Sequence, residues 1–327
     1  MIPIRQILVP LDFGDASMAA VRRAVDLARS FDATLTLLHV VDFPSYVYSE
    51  VFTVGDLFAE FQDAASKRLD DTIARVCAEY PRTRAQVRPG SASSEILSTL
   101  EDVGADLVVM GTRGRHGVAH ALLGSVAERV VRLSPVPVLT VRQNEGGDVG
   151  NDAAGVDNRR PVRSILVPTD FGEVAEHALD EAMELAASLG AIVTVLHAYE
   201  YSLLGIGVDF GTGVPDAPER LKRAAREALR ETIERQSGRG VVLDGILREG
   251  APWSAIVEFA AGSNADLIVI GTRGRRGLAR AFLGSVAEKV VRYASVPVLT
   301  VHASPDVAVV AREPSRGQAP RSEGVGR

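Results

Sequence analysis

The chain repeats itself, and no other feature of the sequence limits its fold as strongly. Gln6-Ile7-Leu8-Val9-Pro10-Leu11-Asp12-Phe13-Gly14 returns as Ser164-Ile165-Leu166-Val167-Pro168-Thr169-Asp170-Phe171-Gly172. Ala105 through Val141 aligns with Ala265 through Val301 without a gap. Solenoid units run to about 20–50 residues. This period is far longer, so each copy must build its own core. The expected organisation is a first domain over 1–142, a flexible linker over 143–160, a second domain over 161–302 and a tail over 303–327. Gly146-Gly147 and Gly150-Asn151 mark the linker, and a Pro-, Ser-, Gly- and Arg-rich composition without apolar pattern makes the tail read as disordered. The copies differ most at Asp42–Leu57 against Glu200–Pro218, where the second becomes rich in Gly and Pro and a loop is expected.

Within a copy, strand and helix patterns alternate. Ile7–Leu11 is a continuous apolar run, as expected of a strand covered on both faces. Ala20, Ala24, Leu27 and Ala28 form one helical stripe within Ala16–Ser30. Strands follow at Leu35–Val41, Ala85–Val87, Leu107–Met110 and Val136–Val141, with helices at Asp56–Tyr80 and Ser93–Asp102. This alternation predicts an α/β fold: in each copy a parallel sheet with helices on both faces and right-handed crossovers.

Acidic residues outnumber basic ones, 42 to 36, for a net charge of −6. That balance opposes broad binding to nucleic-acid backbones, which requires basic surface. No apolar run approaches the roughly 20 residues of a membrane span, and Met1–Arg5 leads straight into a strand without a secretory pattern. The single cysteine, Cys77, offers neither a disulfide nor metal spacing and reads as filler on a helix. Together these features suggest a cytoplasmic protein.

In open α/β sheets, ligands sit beyond the carboxyl ends of the strands, where the strand order reverses. Two loops per copy meet that condition. The first carries Pro10-Leu11-Asp12, or Pro168-Thr169-Asp170. The second carries Gly111-Thr112-Arg113-Gly114 and, nine residues on, Gly124-Ser125; its counterpart is Gly271-Thr272-Arg273-Gly274 and Gly284-Ser285. Gly111 and Gly114 suit positive φ and close backbone approach. Ser125 and Glu128, like Ser285 and Glu288, have capping-box spacing, so a helix is expected to open there with its N–H groups toward an anion. The glycines alone are also compatible with simple turns. Arg113, Arg115 and His116, and Arg273, Arg275 and Arg276, either pair phosphates or keep a solvated loop soluble. Asp12 and Asp170 either accept from a ribose hydroxyl, hold a metal, or cap the next helix. His39 and His197 read as hydrogen-bonded core histidines. The chain has no G-x-x-x-x-G-K-[S/T] loop, no G-x-G-x-x-G after the first strand, no zinc spacing and no G-x-S-x-G elbow.

Taken together, Gly111-x-x-Gly114-x9-Gly124-Ser125, its second copy, the V-P-x-D strand ends and Leu38-His39-Val40 resemble the universal stress protein family, in its tandem form. The resemblance covers nearly all of both repeats. It implies two Rossmann-like domains with five-stranded sheets of order 3-2-1-4-5. It also implies ATP, with or without Mg, in each. Adenine and ribose would lie near Pro10, Asp12 and Val40. Phosphates would lie on Gly111, Gly114, Gly124 and Ser125, with Arg113 and Val126 as further members of the nucleotide site. The matching positions are Pro168, Asp170, Ala198, Gly271, Arg273, Gly274, Gly284, Ser285 and Val286. Two departures are Ala198 against Val40, and Ala127 and Ala287, where some members carry a hydroxyl. The family likeness further implies pairing through the fifth strands, as a homodimer or within one chain. Pro137 and Pro297 at those strands suit an exposed edge. A nucleotide-dependent stress regulator with little or no catalysis is the leading expectation. A slow ATP hydrolase and a ligand-free scaffold remain open beside it; neither glycine loop carries a lysine.

Overall fold

The computed structural model describes residues 4–42, 54–112, 123–142, 161–200, 217–272 and 283–302, with side chains from 63 in the helix that begins at 54 and from 219 in the helix that begins at 217. The first repeat runs β1 (Gln6–Pro10), α1 (Asp15–Phe31), β2 (Thr34–Val41), α2 (Val54–Glu79), β3 (Thr83–Pro89), α3 (Ala92–Val103), β4 (Leu107–Gly111), α4 (Ser125–Leu133), β5 (Val138–Val141). The second runs β6 (Ser164–Pro168), α5 (Glu173–Leu189), β7 (Ile192–Tyr199), α6 (Ala217–Gln236), β8 (Leu243–Glu249), α7 (Pro252–Gly262), β9 (Leu267–Gly271), α8 (Ser285–Tyr293), β10 (Val298–Val301).

Strand alternation sorts the apolar residues to two faces. Ile7, Val9, Leu107 and Val109 point to one side, under α1 and α2; Leu8, Val108 and Met110 point to the other, under α3 and α4. The second repeat does the same with α5 and α6 against α7 and α8. A fully buried Leu or Ile contributes about 1.5–3 kcal/mol. Lining both faces of the central strands with such residues therefore fixes the register of the sheet, because a slip of one residue would exchange the two faces.

Each repeat has the expected strand order 3-2-1-4-5, and the two sheets join into one of ten strands, β3-β2-β1-β4-β5-β10-β9-β6-β7-β8. The joint is the antiparallel pair β5–β10, with Val298 opposite Thr140, Leu299 opposite Leu139 and Thr300 opposite Val138. The hydroxyls of Thr140 and Thr300 donate reciprocally to the carbonyls of Val298 and Val138, both at 3.1 Å. This corrects the exposed-edge reading of Pro137 and Pro297. The fifth strands lie mid-sheet, and each proline is tolerated because it stands one position before the ladder. Val136 is not in the strand either: its N–H and carbonyl both turn onto the Ser134 hydroxyl. At the sheet's outer margin, β3 runs longer than expected, because main-chain pairing with β2 extends past the apolar Ala85 and Val87 to Arg84 and Arg88.

A second anchor escapes sequence reasoning. Asp106 Oδ2 accepts from the N–H groups of Arg5 and Gln6 (2.7 and 2.9 Å). Asp266 Oδ2 does the same for Arg163 and Ser164 (2.9 and 3.0 Å). Each carboxylate ties the entry of the first strand to the entry of the fourth.

Candidate functional site

The strand order reverses at β1, which pairs with β2 on one side and β4 on the other. Helices therefore leave toward opposite faces and open a crevice at the carboxyl ends of β1 and β4. The chain leaves β1 in a tight turn. Phe13 takes positive φ (63°), and Asp12 Oδ1 accepts from the Gly14 N–H at 2.9 Å, so that α1 begins at Asp15. Phe171 (φ 61°), Asp170 and Gly172 (3.0 Å) repeat the turn. One oxygen of each aspartate thus closes a turn ahead of the helix and does not cap the helix itself. His39 Nδ1 lies 2.8 Å from the Leu11 carbonyl and its ring rests against Phe13; His197 repeats this with Thr169 and Phe171. These are hydrogen-bonded, half-buried histidines that brace the turn.

β4 ends against that turn. A Cβ on Gly111 would stand 2.8 Å from the carbonyl carbon of Ala16 and 2.9 Å from the Ser17 nitrogen. Close approach to the start of α1, not positive φ, is what requires glycine here. Thr112 then donates its N–H to Val141 (3.0 Å), and its carbonyl accepts from Gly124 at 2.9 Å. In the second repeat the corresponding bonds are Thr272 to Val301 (2.9 Å) and Gly284 to Thr272 (2.7 Å). Thr112 therefore meets Gly124, and Thr272 meets Gly284, across the intervening residues. Arg113, Gly114, Arg115 and His116, and Arg273, Gly274, Arg275 and Arg276, lie within them, outside the described residues.

The helix that follows opens at this closure. Gly124 is its N-cap, at φ −63° and ψ 145°, and no side chain caps it; Gly284 has the same angles. The capping-box expectation fails for a geometric reason. The Gly124 carbonyl already accepts the helical bond from Glu128, so Ser125 falls inside the first turn, too late to cap it. Glu288 instead pairs with Arg292 at 2.9 Å. The first N–H groups of α4 and α8 have no intrahelical acceptor. They face the crevice edge with about half a positive charge behind them. Ser125 and Ser285 are exposed there, and Val40 and Val126, or Ala198 and Val286, are half-buried apolar groups on the same face.

One feature was not legible beforehand. The hydroxyls of Thr112 and Thr272 are buried, the residues being 3% and 2% exposed, and no group among the described residues bonds them. A threonine directly after a glycine required by close packing gives no sequence signal of this kind. No cluster of three metal-ligating side chains occurs among the described residues, and no described helix is long and apolar enough to cross a membrane.

Comparison with known proteins matches this architecture. The profile of the Universal stress protein family matches residues 3–142 and again 161–302. A universal stress protein of Methanocaldococcus jannaschii is 37% identical over 139 residues, which is 42% of this chain and 81% of the relative. One from Mycolicibacterium smegmatis is 28% identical over 306 residues, covering 90% of this chain and 96% of the relative. The crystal structure of a universal stress protein from Archaeoglobus fulgidus shares the fold, with a TM-score of 0.65 at 22% identity over 92% of this chain and 97% of that one.

Proposed function

The chain belongs to the universal stress protein family, and from that premise we propose that each repeat binds ATP, alone or with Mg, as a cytoplasmic regulator that holds nucleotide with little or no turnover. The observation that carries this reading is the uncapped start of α4 and α8 at the strand-order reversal, each preceded by a glycine whose backbone angles do not need one. Any L residue adopts φ −63° and ψ 145°. Glycine at 124 and 284 is then explained by close approach to the backbone, which a phosphate needs.

In this reading the phosphates rest on Gly111, Gly114, Gly124, Ser125 and Val126, with Arg113 as a charged partner. Adenine and ribose lie toward Pro10, Asp12 and Val40. The second site uses Gly271, Arg273, Gly274, Gly284, Ser285 and Val286, with Pro168, Asp170 and Ala198. Several N–H bonds to charge, at about 1.5–3 kcal/mol each, are enough for micromolar affinity, about −8 kcal/mol. Any Mg would arrive on the phosphates. The proposed domain limits are 1–142 and 161–302.

Calorimetric titration with ATP tests the proposal in the wild-type chain, Gly124→Val, Gly284→Val and the double variant. The backbone angles suit valine, so the fold should survive. Each single variant should lose one site, by on the order of 3 kcal/mol or about a hundredfold, and the double variant both. Wild-type binding in the double variant, or none in the wild type, would refute the proposal.

A further inference from the structure

The repeats carry equivalent helices at opposite ends of the molecule, and the outer faces of those helices have opposite charge. α2 packs on β2 and β3, α6 packs on β7 and β8, and β3 and β8 are the two outer strands of the ten-stranded sheet. Both helices lie on the face that also holds α1 and α5. The spacing that aligns Ala105 with Ala265 also aligns α2 with α6. Leu69 matches Leu229, and both are buried. Thr72 matches Thr232, and each hydroxyl donates to the carbonyl four residues earlier at 2.9 Å.

On the side away from these residues, charge is inverted at four positions. Glu60, Asp63, Lys67 and Asp70 in α2 stand where α6 has Arg220, Arg223, Glu227 and Arg230. Steps of three, four and three residues keep each set on one helical stripe. Asp63, Lys67 and Asp70 are exposed, as are all four residues on α6. One stripe is three acids and a lysine; the other is three arginines and a glutamate. Off the stripe the inversion stops: Asp71 and Glu231 share a sign, as do Arg75 and Arg235. The ion pairs described on α6 lie in its later turns, Arg230 with Glu227 and Glu234, and Arg235 with Glu176. Its first turns present Arg220, Lys222, Arg223 and Arg226, with Glu219 as the one acid among them.

We propose that α2 and α6 form a docking surface for a second copy of this chain, the acidic stripe of each copy meeting the basic stripe of the other. Within one chain the stripes cannot meet, because the whole sheet separates them. Two copies satisfy both ends at once. α2 and α6 share a face, so laying two such faces together about a two-fold axis along the strands sets each α2 against the partner's α6. Closed two-fold pairing of this kind is the commonest form of homo-oligomer. The other two-fold arrangement, about an axis across the strands, would set α2 against α2 and α6 against α6, and like charges disfavour it. Exposed ion pairs are individually weak, so the association rests on several acting together and falls with salt.

Sedimentation velocity of the full chain at about 50 and 500 mM salt tests the proposal. The wild type should associate reversibly at low salt, and its dimerisation should weaken by roughly tenfold or more at high salt. Asp63→Arg with Asp70→Arg makes both stripes basic, and Arg220→Asp with Arg223→Asp makes both acidic. Each double variant should self-associate roughly tenfold to a hundredfold more weakly than the wild type. Mixing the two double variants should give a two-chain complex, and the chain with all four substitutions should regain wild-type association. The four positions are exposed, so circular dichroism should show unchanged helix content. A wild type that stays monomeric at low salt up to about 0.1 mM, association that salt does not weaken, double variants that associate as the wild type does, or no complex in the mixture would overturn it.

Discussion

The two repeats agree where β1 and β4 end and differ in the side chains that flank the β5–β10 joint. At the crevice, the turn on Asp12 matches that on Asp170, and the closure of Gly124 onto Thr112 matches Gly284 onto Thr272. Beside the seam, Arg23 stands where the second repeat has Glu181, and Arg142 stands where it has His302. Duplication began with two equal units. The chemistry that stayed equal is a backbone cradle, which needs the same atoms in both copies. The side chains that diverged lie beside the joint of the two sheets.

Substitutions can separate the shared features from the divergent ones. The largest effect is expected at Gly111. A Cβ there meets Ala16 and Ser17 backbone, which cannot move without shifting α1. Gly111→Ala should cost about 3 kcal/mol, at the upper end for overpacking. In Gly271→Ala the nearest atom is Val174 Cγ1, at 2.9 Å, with the Val174 carbonyl oxygen next at 3.0 Å. A side chain yields more easily, so about half that cost is expected. Equal losses in urea unfolding would show that the two crevices are packed alike after all. Fluorescence of Trp253, the single tryptophan, follows the second repeat by itself.

Next come the strand anchors. Asp106→Ala and Asp266→Ala each remove two charge-assisted bonds to backbone and should each cost about 2 kcal/mol. A marked inequality would mean that the seam, and not the repeats, sets the stability of the strand entries. A smaller difference lies in the β6–α5 turn. The Thr169 hydroxyl accepts from the Phe171 N–H at 2.9 Å, and the first repeat has Leu11 in that place. Thr169→Leu should cost about 0.5–1.5 kcal/mol, read by the same fluorescence, and leave the first repeat unchanged.

Much of this architecture was legible in the sequence because it rests on long-range pattern. The apolar runs of β1 and β4 and the gapless alignment from Ala105 specify strand type and duplication. Short-range chemistry misled where tertiary bonds intervened. The Ser125–Glu128 spacing suggests a capping box, but the bond from Gly124 to Thr112 sets the helix start one residue earlier. Pro137 suggests an outer edge, but pairing with β10 places it in mid-sheet. The turn histidines were legible because a lone His in an apolar strand must find a partner nearby.

The smallest effect concerns the crevice itself. Thr112→Val and Thr272→Val replace buried hydroxyls that no group among the described residues bonds. Stability should stay level or rise by up to about 1 kcal/mol, because a buried polar group without a partner is costly. A loss in either repeat would reveal a bond to the hydroxyl and break the equivalence of the two crevices.

The central claim is that two equivalent nucleotide sites sit on one chain. Native mass spectrometry of the full chain with ATP tests it most directly. The expected spectrum shows successive ATP adducts up to one per repeat, with one adduct lost in Gly124→Val and the other in Gly284→Val. A chain that takes up no ATP, or that keeps both adducts in those variants, would contradict it.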